Sequence, residues 1–177
     1  MSEVETVLLS ELLQWYRLQR HDFLNHWQVI MGNIQLNRPE KALAYMREMF
    51  IEPEQEQKIA QIPEPQLAAI LLSFIIRLRQ EDITATIDFP EGMKQNEFWQ
   101  DHWRKEYVEA LYGYTRECLE VSSQSKQLEK LNAEVLLYDE PGGLSCQFIL
   151  LEDENVLYDK MAKFIINPTL SNQTRRS

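Results

Sequence analysis

The sequence predicts an α+β protein, in which a long helical hairpin is followed by a smaller domain of helices and strands. Residues 3–36 contain no proline and repeat apolar side chains in steps of three and four, which is the spacing of a helix stripe. Residues 62–65 contain two prolines and read as a stiff, extended joint. Beyond this joint, apolar helical patterns mix with alternating strand patterns, so the organisation of the chain changes there.

The joint divides the chain into two predicted domains. Residues 1–61 are the predicted hairpin, and residues 62–168 are the predicted smaller domain. Residues 169–177 are predicted to be a disordered tail, because they have little apolar content. A chain of 177 residues is long enough for a small domain with a helical appendage that needs a partner.

The first predicted helix extends from about Glu3 to Leu36, which is about 50 Å at 1.5 Å per residue. Such a helix cannot stand alone in water, because its apolar stripe has to be covered. The break at residues 37–40 ends the helix and puts Pro39 in the first turn of the next one, which predicts an antiparallel hairpin. The stripe consists of Leu9, Leu13, Tyr16, Phe23, Trp27, Ile30 and Ile34.

The second predicted helix follows Pro39 and is also amphipathic, until Pro53 interrupts it before residues 54–61. Two amphipathic helices supply half of a four-helix bundle. The other half could come from the second domain or from a second copy of the chain, and symmetric dimerisation is the commoner arrangement. The apolar side of the second helix carries Leu43, Met46, Met49 and Phe50.

The second domain is predicted to contain a small, partly antiparallel sheet covered by helices. A turn is predicted at residues 90–92 and a tight hairpin turn at residues 139–143. Residues 155–166 fit either a helix or an edge strand. The other predicted elements are a helix over 66–80, a strand over 83–89, a helix over 97–121, and strands over 133–138 and 144–151.

Charge and cysteine content argue against several classes of function. A net charge of −10 disfavours nucleic acid or an anionic membrane as the main partner. Cys118 and Cys146 are far apart, so neither a zinc site nor a disulfide framework is predicted. The N-terminus is acidic where a signal peptide is basic, and no apolar run reaches the roughly 20 residues of a membrane span. A cytoplasmic protein is expected.

A second face of the first helix carries the candidate site. It lies about 100° from the apolar stripe, and none of its residues is a large apolar one. His21 is in the middle of this face, where a buried structural role does not fit. The face consists of Gln14, Arg17, His21, Asn25, Gln28 and Gly32.

The pattern of His21, Asp22 and Asn25 suits a phosphorylated imidazole. The neutral ring is the nucleophile, and the ordinary histidine pKa of about 6.5 makes it available near neutral pH. A neighbouring carboxylate can hold one ring nitrogen while the other stays exposed. Arg17, one turn earlier, can offset charge on the phosphoryl oxygens. Ordinary surface roles for Asp22, Asn25 and Arg17 remain open, including a weak ion pair for Arg17.

Around these residues the chain resembles the sporulation initiation phosphotransferase B family, relatives of the dimerising histidine phosphotransfer domains of two-component sensor kinases. The resemblance rests on Arg-His-Asp-Phe-Leu-Asn at residues 20–25, and on Gln-Val-Ile-Met-Gly-Asn-Ile at residues 28–34, followed by a short loop and a second helix. It covers about the first 60 residues well, and the remainder only by the order of elements.

The resemblance implies that His21 accepts a phosphoryl group from the aspartyl phosphate of one response regulator and passes it to the aspartate of another. It also implies a homodimer whose hairpins form a four-helix bundle, and a C-terminal domain that resembles a degenerate histidine-kinase ATPase fold. The polar face is expected to meet the regulators, through Gln14, Arg17, Gln28 and Gly32.

The residues argue against an ATP-dependent kinase. None of the five glycines forms a G-x-G motif, and residues 97–121 contain no asparagine to hold magnesium. No cofactor of its own is expected, and Mg²⁺ is expected in the acidic pocket of the regulator. An alternative from another class stays open: a non-catalytic docking or inhibitory module derived from a sensor histidine kinase, which would bind a regulator and leave its phosphoryl group in place.

Overall fold

The computed structural model describes residues 2–49, 54–124 and 130–165. Contacts divide the chain into two compact units, residues 1–57 and residues 58–177. The boundary predicted from the sequence, between residues 61 and 62, lies four residues later. The predicted tail at residues 169–177 lies outside the described residues.

The first unit contains two helices that double back on each other. Helix α1, Glu3–Gln35, begins with a capping box, in which the Ser2 hydroxyl accepts from the Glu5 N–H and the Glu5 carboxylate accepts from the Ser2 N–H. The chain reverses through Asn37, whose φ of 56° is left-handed. Helix α2, Pro39–Met49, starts at the predicted proline. The helical hairpin is confirmed, while its dimerisation stays a prediction.

The apolar stripe predicted on α1 is largely exposed. Ile30 is buried, but the other six residues of the stripe are 46–60% exposed. Helix α2 has 11 residues against the 33 of α1, so it spans about 16 Å of a helix about 50 Å long. It also contacts another strip of α1, where the His26 ring meets Tyr45 with 5.8 Å between ring centroids. Most of the stripe is therefore exposed in the single chain.

Helix α3, Glu54–Ile59, spans the border between the units. The predicted interruption at Pro53 lies outside the described residues. The second unit continues with α4, Pro65–Gln80, where the Glu64 side chain caps the N-terminus by accepting from the Gln66 N–H. This helix was predicted over residues 66–80 and is confirmed. It is buried along most of its length because apolar residues occupy nearly every position.

The prediction of a single helix over residues 97–121 is wrong. The structure has α5, Asn96–His102, and α6, Tyr107–Gln124, with a break between them. At the break Trp103 is extended, and its indole N–H donates to the Gln66 side chain at 3.2 Å. This contact joins residues 37 positions apart, and no proline or glycine marks the break in the sequence. A tertiary contact accompanies a break that local helix propensity does not predict.

A four-stranded sheet completes the second unit. Strand β1 pairs parallel with β2, whereas β2, β3 and β4 pair antiparallel in that order. Residues 155–166, which fitted a helix or an edge strand, form the edge strand as far as Ile165. A turn of 3₁₀ helix, Glu91–Lys94, lies where a turn was predicted. The strands are β1 Thr84–Asp88, β2 Leu131–Glu140, β3 Gly143–Glu152 and β4 Asn155–Ile165.

The predicted hairpin turn is confirmed between β2 and β3. Glu140 pairs with Gly143, so only two residues make the turn, and Gly142 has the left-handed φ of 77° that such a turn needs. Gly143 itself packs against β4, because a β-carbon there would collide with the backbone of Phe164 and Ile165. The glycines thus fix both the turn and the close approach of β4.

The core of the second unit lies between the sheet and helices α4 and α6. Phe74 on α4 meets Phe148 on β3 edge to face, with 5.9 Å between ring centroids. Cys118 and Cys146 are free and buried, and burial raises the pKa of the Cys118 thiol to about 12. Among the described residues, no helix has both the length and the apolar character to cross a membrane.

Candidate functional site

His21 lies on the outer side of α1, with its side chain 73% exposed. Arg17 precedes it by one helical turn and Asn25 follows it by one turn, so the three share a face. All three side chains are exposed. The long uninterrupted helix therefore presents the predicted site on a rigid element that is open to a large partner.

Two side chains reach the same ring nitrogen of His21. The Asp22 carboxylate is 3.5 Å from Nδ1, and the Asn25 amide nitrogen is 3.3 Å from it. A protonated Nδ1 can donate to Asp22, whereas an unprotonated Nδ1 can accept from Asn25. Among the described residues neither side chain contacts Nε2. The arrangement holds one nitrogen and leaves the other open to solvent.

This geometry favours a nucleophilic Nε2. An imidazole nitrogen attacks through its lone pair, so Nε2 is reactive when the ring proton is on Nδ1. In that tautomer Asp22 is the acceptor that carries a charge, and the Asn25 amide can also accept if it presents its oxygen. Both distances are at the long end of hydrogen bonding and both groups are exposed, so each contact orients the ring only modestly.

Arg17 makes no ion pair or hydrogen bond within the described part of the chain. The alternative in which it pairs with a neighbouring carboxylate therefore has no support there. Over residues 12–35 the only charged side chains are Arg17, Arg20 and Asp22. This stretch of α1 is locally positive within a chain whose net charge is −10, and it can attract an acidic or phosphorylated group.

The other two histidines have partners that give them structural roles. The Nδ1 atom of His26 is 2.7 Å from the Tyr45 hydroxyl on α2. In the second unit, His102 stacks on Phe98 and lies 2.7 Å from its carbonyl oxygen. Both histidines are only partly exposed. His21 thus differs from them in being open to a partner.

The remaining predicted contact residues lie along the same face as His21. Gln14 and Gln28 are exposed, and Gly32 is partly exposed. A β-carbon at Gly32 would meet no other atom within 4 Å. Glycine in a helix interior costs about 1 kcal/mol relative to alanine, and no contact described in the first unit requires glycine at this position.

Sequence reasoning missed an apolar row at the edge of this face. Leu18, Val29 and Leu36 are 49%, 41% and 64% exposed. On a helical projection they lie about 60–80° from His21, on the side away from the apolar stripe. Their spacings of eleven and seven residues, close to three and two helical turns, are the signal that could have found them.

Across residues 2–49, 54–124 and 130–165, no three His, Cys, Asp or Glu side chains group so that they could hold a metal ion. Asp139 and Gly143 lie in the paired strands β2 and β3, on either side of the turn that joins them.

Two comparisons with known proteins found a likeness. A family model described as the alpha-helical domain of SpoOB-type sensor kinases matches residues 1–62. Sporulation initiation phosphotransferase B of Bacillus subtilis (strain 168) is 33% identical over 70 residues, which are 40% of this chain and 36% of that protein. The aligned segment spans little more than a third of the relative. The resemblance predicted around His21 is confirmed for this region.

Proposed function

Starting from a helical region that matches the SpoOB-type domain, we propose that this chain is a phosphorelay phosphotransferase that acts in the initiation of sporulation. His21 accepts a phosphoryl group from the aspartyl phosphate of one response regulator and passes it to the aspartate of another. The observation that carries the proposal is the geometry of His21, because Asp22 and Asn25 both reach Nδ1 and leave Nε2 open. The family model that matches residues 1–62, which include His21, supports it.

The transfer consists of two balanced displacements. In the first, the Nε2 lone pair attacks phosphorus, and the bond from phosphorus to the aspartyl oxygen breaks so that the donor aspartate leaves as a carboxylate. In the second, a carboxylate oxygen of the acceptor regulator attacks phosphorus, and the N–P bond breaks so that its electron pair returns to Nε2. The ring proton stays on Nδ1, facing Asp22. Positioning and electrostatics supply most of the catalysis in such transfers.

Charge on the transferred group needs compensation from both proteins. Arg17 lies one turn from His21 and has no competing carboxylate in the described part of the chain, so it can face the phosphoryl oxygens. Mg²⁺ belongs to the acidic pocket of the regulator, where carboxylate oxygens bind it. This chain contributes no cofactor of its own to the transfer.

A homodimer would bury the exposed apolar side of the hairpin. Six stripe residues on α1 are 46–60% exposed, and an exposed row of large apolar side chains is typical of an interaction surface. Packing two such hairpins face to face makes a four-helix bundle. His21 lies about 120° from Trp27, near the centre of the stripe, so it would stay on the outside of the bundle.

A labelling experiment tests the proposal. The purified chain is mixed with a response regulator phosphorylated on its aspartate, and we expect an acid-labile, alkali-stable phosphoryl group on the chain. The variant His21→Gln, which keeps a polar side chain on an exposed helix position, should not label. His26→Gln is the matched control, since His26 is engaged with Tyr45, and it should still label.

Two outcomes would contradict the proposal. A His21→Gln chain that labels like the wild type would show that the phosphoryl group is carried elsewhere. A wild-type chain that binds regulators without removing their phosphoryl groups would instead indicate a docking or inhibitory module. Circular dichroism of the His21→Gln variant should remain that of the wild type, because residue 21 is exposed and makes only weak contacts.

A further inference from the structure

Strand β4 is a long edge of the sheet in the second unit. It pairs with β3 on one side, and within the described part of the chain no strand pairs with it on the other. The opposite edge strand, β1, has five residues, whereas β4 has eleven and contains neither proline nor glycine. Proteins usually keep edge strands short or interrupted, because unpaired N–H and C=O groups can bind another strand. The edge at β4 is therefore a candidate surface for strand addition.

The two faces of β4 differ in what they offer to a neighbouring strand. Asp159, Met161 and Lys163 are exposed and share one face, because side chains alternate along a strand. The residues between them face α6, where the Lys160 ammonium lies 5.0 Å from the centroid of the Tyr114 ring. The outer face thus presents a negative charge, an apolar side chain and a positive charge, in that order.

This order is self-complementary in an antiparallel pair. When a second β4 lies alongside with Met161 opposite Met161, Asp159 of each copy falls directly opposite Lys163 of the other. Side chains that are directly opposite have β-carbons about 5 Å apart, and opposite charges at that spacing attract. The twofold symmetry of the pair makes this contact occur twice. On the face toward α6, the same register places Tyr158 opposite Phe164, which is an aromatic pair.

The neighbouring registers lack this match. With residue 160 at the centre, Lys160 lies opposite Lys160 of the other copy, and like charges repel. With residue 162 at the centre, Lys163 lies opposite Met161, and no charge on the outer face meets an opposite charge. Registers that are offset by half a step would join the outer face of one sheet to the helix-covered face of the other.

We propose that β4 pairs with β4 of a second copy of this chain, antiparallel and centred on Met161, so that two four-stranded sheets join into one. The pairing uses no residue of α1 and does not depend on phosphotransfer. A single strand pair is a small interface, and small interfaces are usually weak and transient. We therefore expect the contact at about 0.1 mM chain and not at micromolar concentration.

The lysines of β4 have an alternative role, because lysine on an edge strand is a common means of preventing pairing. Asp159 argues against this role, since it turns Lys163 from a repulsive group into an attractive one in the register centred on Met161. The Gln147 amide donates to Asp159 at 2.8 Å and so holds the carboxylate on the outer face. A carboxylate can accept several hydrogen bonds, so Asp159 can still bind a lysine of the other copy.

Disulfide trapping tests the register. Met161→Cys puts one thiol directly opposite its copy, within the range that a disulfide spans. We expect mild oxidation at about 0.1 mM chain to link two chains, seen on a non-reducing gel at twice the 21.0 kDa of the chain. Cys118 and Cys146 are buried, so the wild-type chain should not link.

Val156→Cys is the matched control. Val156 lies on the same strand and is 60% exposed, against 43% for Met161. In the proposed register the two thiols at position 156 would be ten residues apart along the strands, which is about 33 Å. This variant should therefore not link, although its thiol is the more accessible of the two.

Charge substitutions in the Met161→Cys chain test the contact between Asp159 and Lys163. Lys163→Glu puts a negative charge opposite Asp159 at two places, so linking should slow about tenfold. Asp159→Lys alone should slow it to a similar extent. Exchanging the two charges, Asp159→Lys with Lys163→Glu, restores opposite charges and should bring the rate back to within about twofold of the starting value. Both positions are exposed, so circular dichroism should stay unchanged.

Three results would overturn the inference. Equal linking of Met161→Cys and Val156→Cys would indicate random collision. No linking of Met161→Cys would mean that the edge stays unpaired or is reserved for another protein. An exchange of charges that fails to recover the rate would show that Asp159 and Lys163 do not set the register.

Discussion

At the scale of single residues, the reactivity of His21 depends on which neighbour holds Nδ1. Asp22 and Asn25 compete for this atom at 3.5 and 3.3 Å. The attacking tautomer has its proton on Nδ1, so the side chain that accepts this proton supports catalysis. The Asp22 carboxylate accepts it with the help of a full charge, whereas the Asn25 amide must turn its oxygen toward the ring. Asp22 should therefore matter more than Asn25.

Substituting these two neighbours separates their roles. Asp22→Ala should lower the initial labelling rate about fivefold, on the order of 1 kcal/mol for one exposed, charge-assisted contact. Asn25→Ala should lower it by a smaller factor. Both rates are measured at saturating phosphorylated regulator, with Gln19→Ala as an exposed control on the same helix. A larger loss for Asn25→Ala than for Asp22→Ala would reverse the assignment of the proton acceptor.

At the scale of elements, the close approach of β4 to the β2–β3 hairpin depends on one glycine. Gly143 pairs across from Ile165, and a β-carbon there would overlap the Phe164 carbonyl oxygen. The obstacle is backbone and not a flexible side chain, so β4 would have to move away. This explains why the second of two adjacent glycines is needed although only Gly142 has a positive φ.

Gly143→Ala should therefore destabilise the second unit. We expect a loss of about 1–3 kcal/mol, the usual range for overpacking, measured by urea unfolding with tryptophan fluorescence. Gly92→Ala is the matched control, because a β-carbon at Gly92 meets nothing within 4 Å. Equal stability of the two variants would contradict the close approach of β4.

At the scale of the whole molecule, the exposed apolar stripe of α1 predicts association. The chain has a mass of 21.0 kDa, and light scattering of the wild type should give twice this value at micromolar concentration. Trp27→Glu puts a charge at the centre of the stripe, where burial without a partner is costly. This variant should fall toward the mass of one chain.

A charge of the same sign on the other face provides the control for association. Gln28→Glu follows Trp27 directly but lies on the face of His21, so it should remain a dimer. A wild-type mass of 21.0 kDa would instead mean that the stripe is covered in some other way. A dimer that both variants preserve would place the interface away from Trp27.

The sequence by itself determined the elements that follow from local pattern. The helical spacing of residues 3–36, the proline at residue 39 and the glycines at residues 142–143 are local signals, because helix periodicity and turn geometry act over a few residues. These signals predicted the hairpin of α1 and α2, helix α4, three of the strands and the face that carries His21. The residue string around His21 also identified the family likeness.

Only the tertiary structure decided the features that depend on distant contacts. The break at Trp103 coincides with a hydrogen bond to Gln66, and β4 is a strand because β3 offers it an edge. The sequence predicted an apolar stripe on α1 that has to be covered, and the structure shows that most of this stripe is exposed in the single chain. A local pattern records which residues are apolar, but burial depends on which surfaces the rest of the chain can reach, and that is settled only when the elements pack.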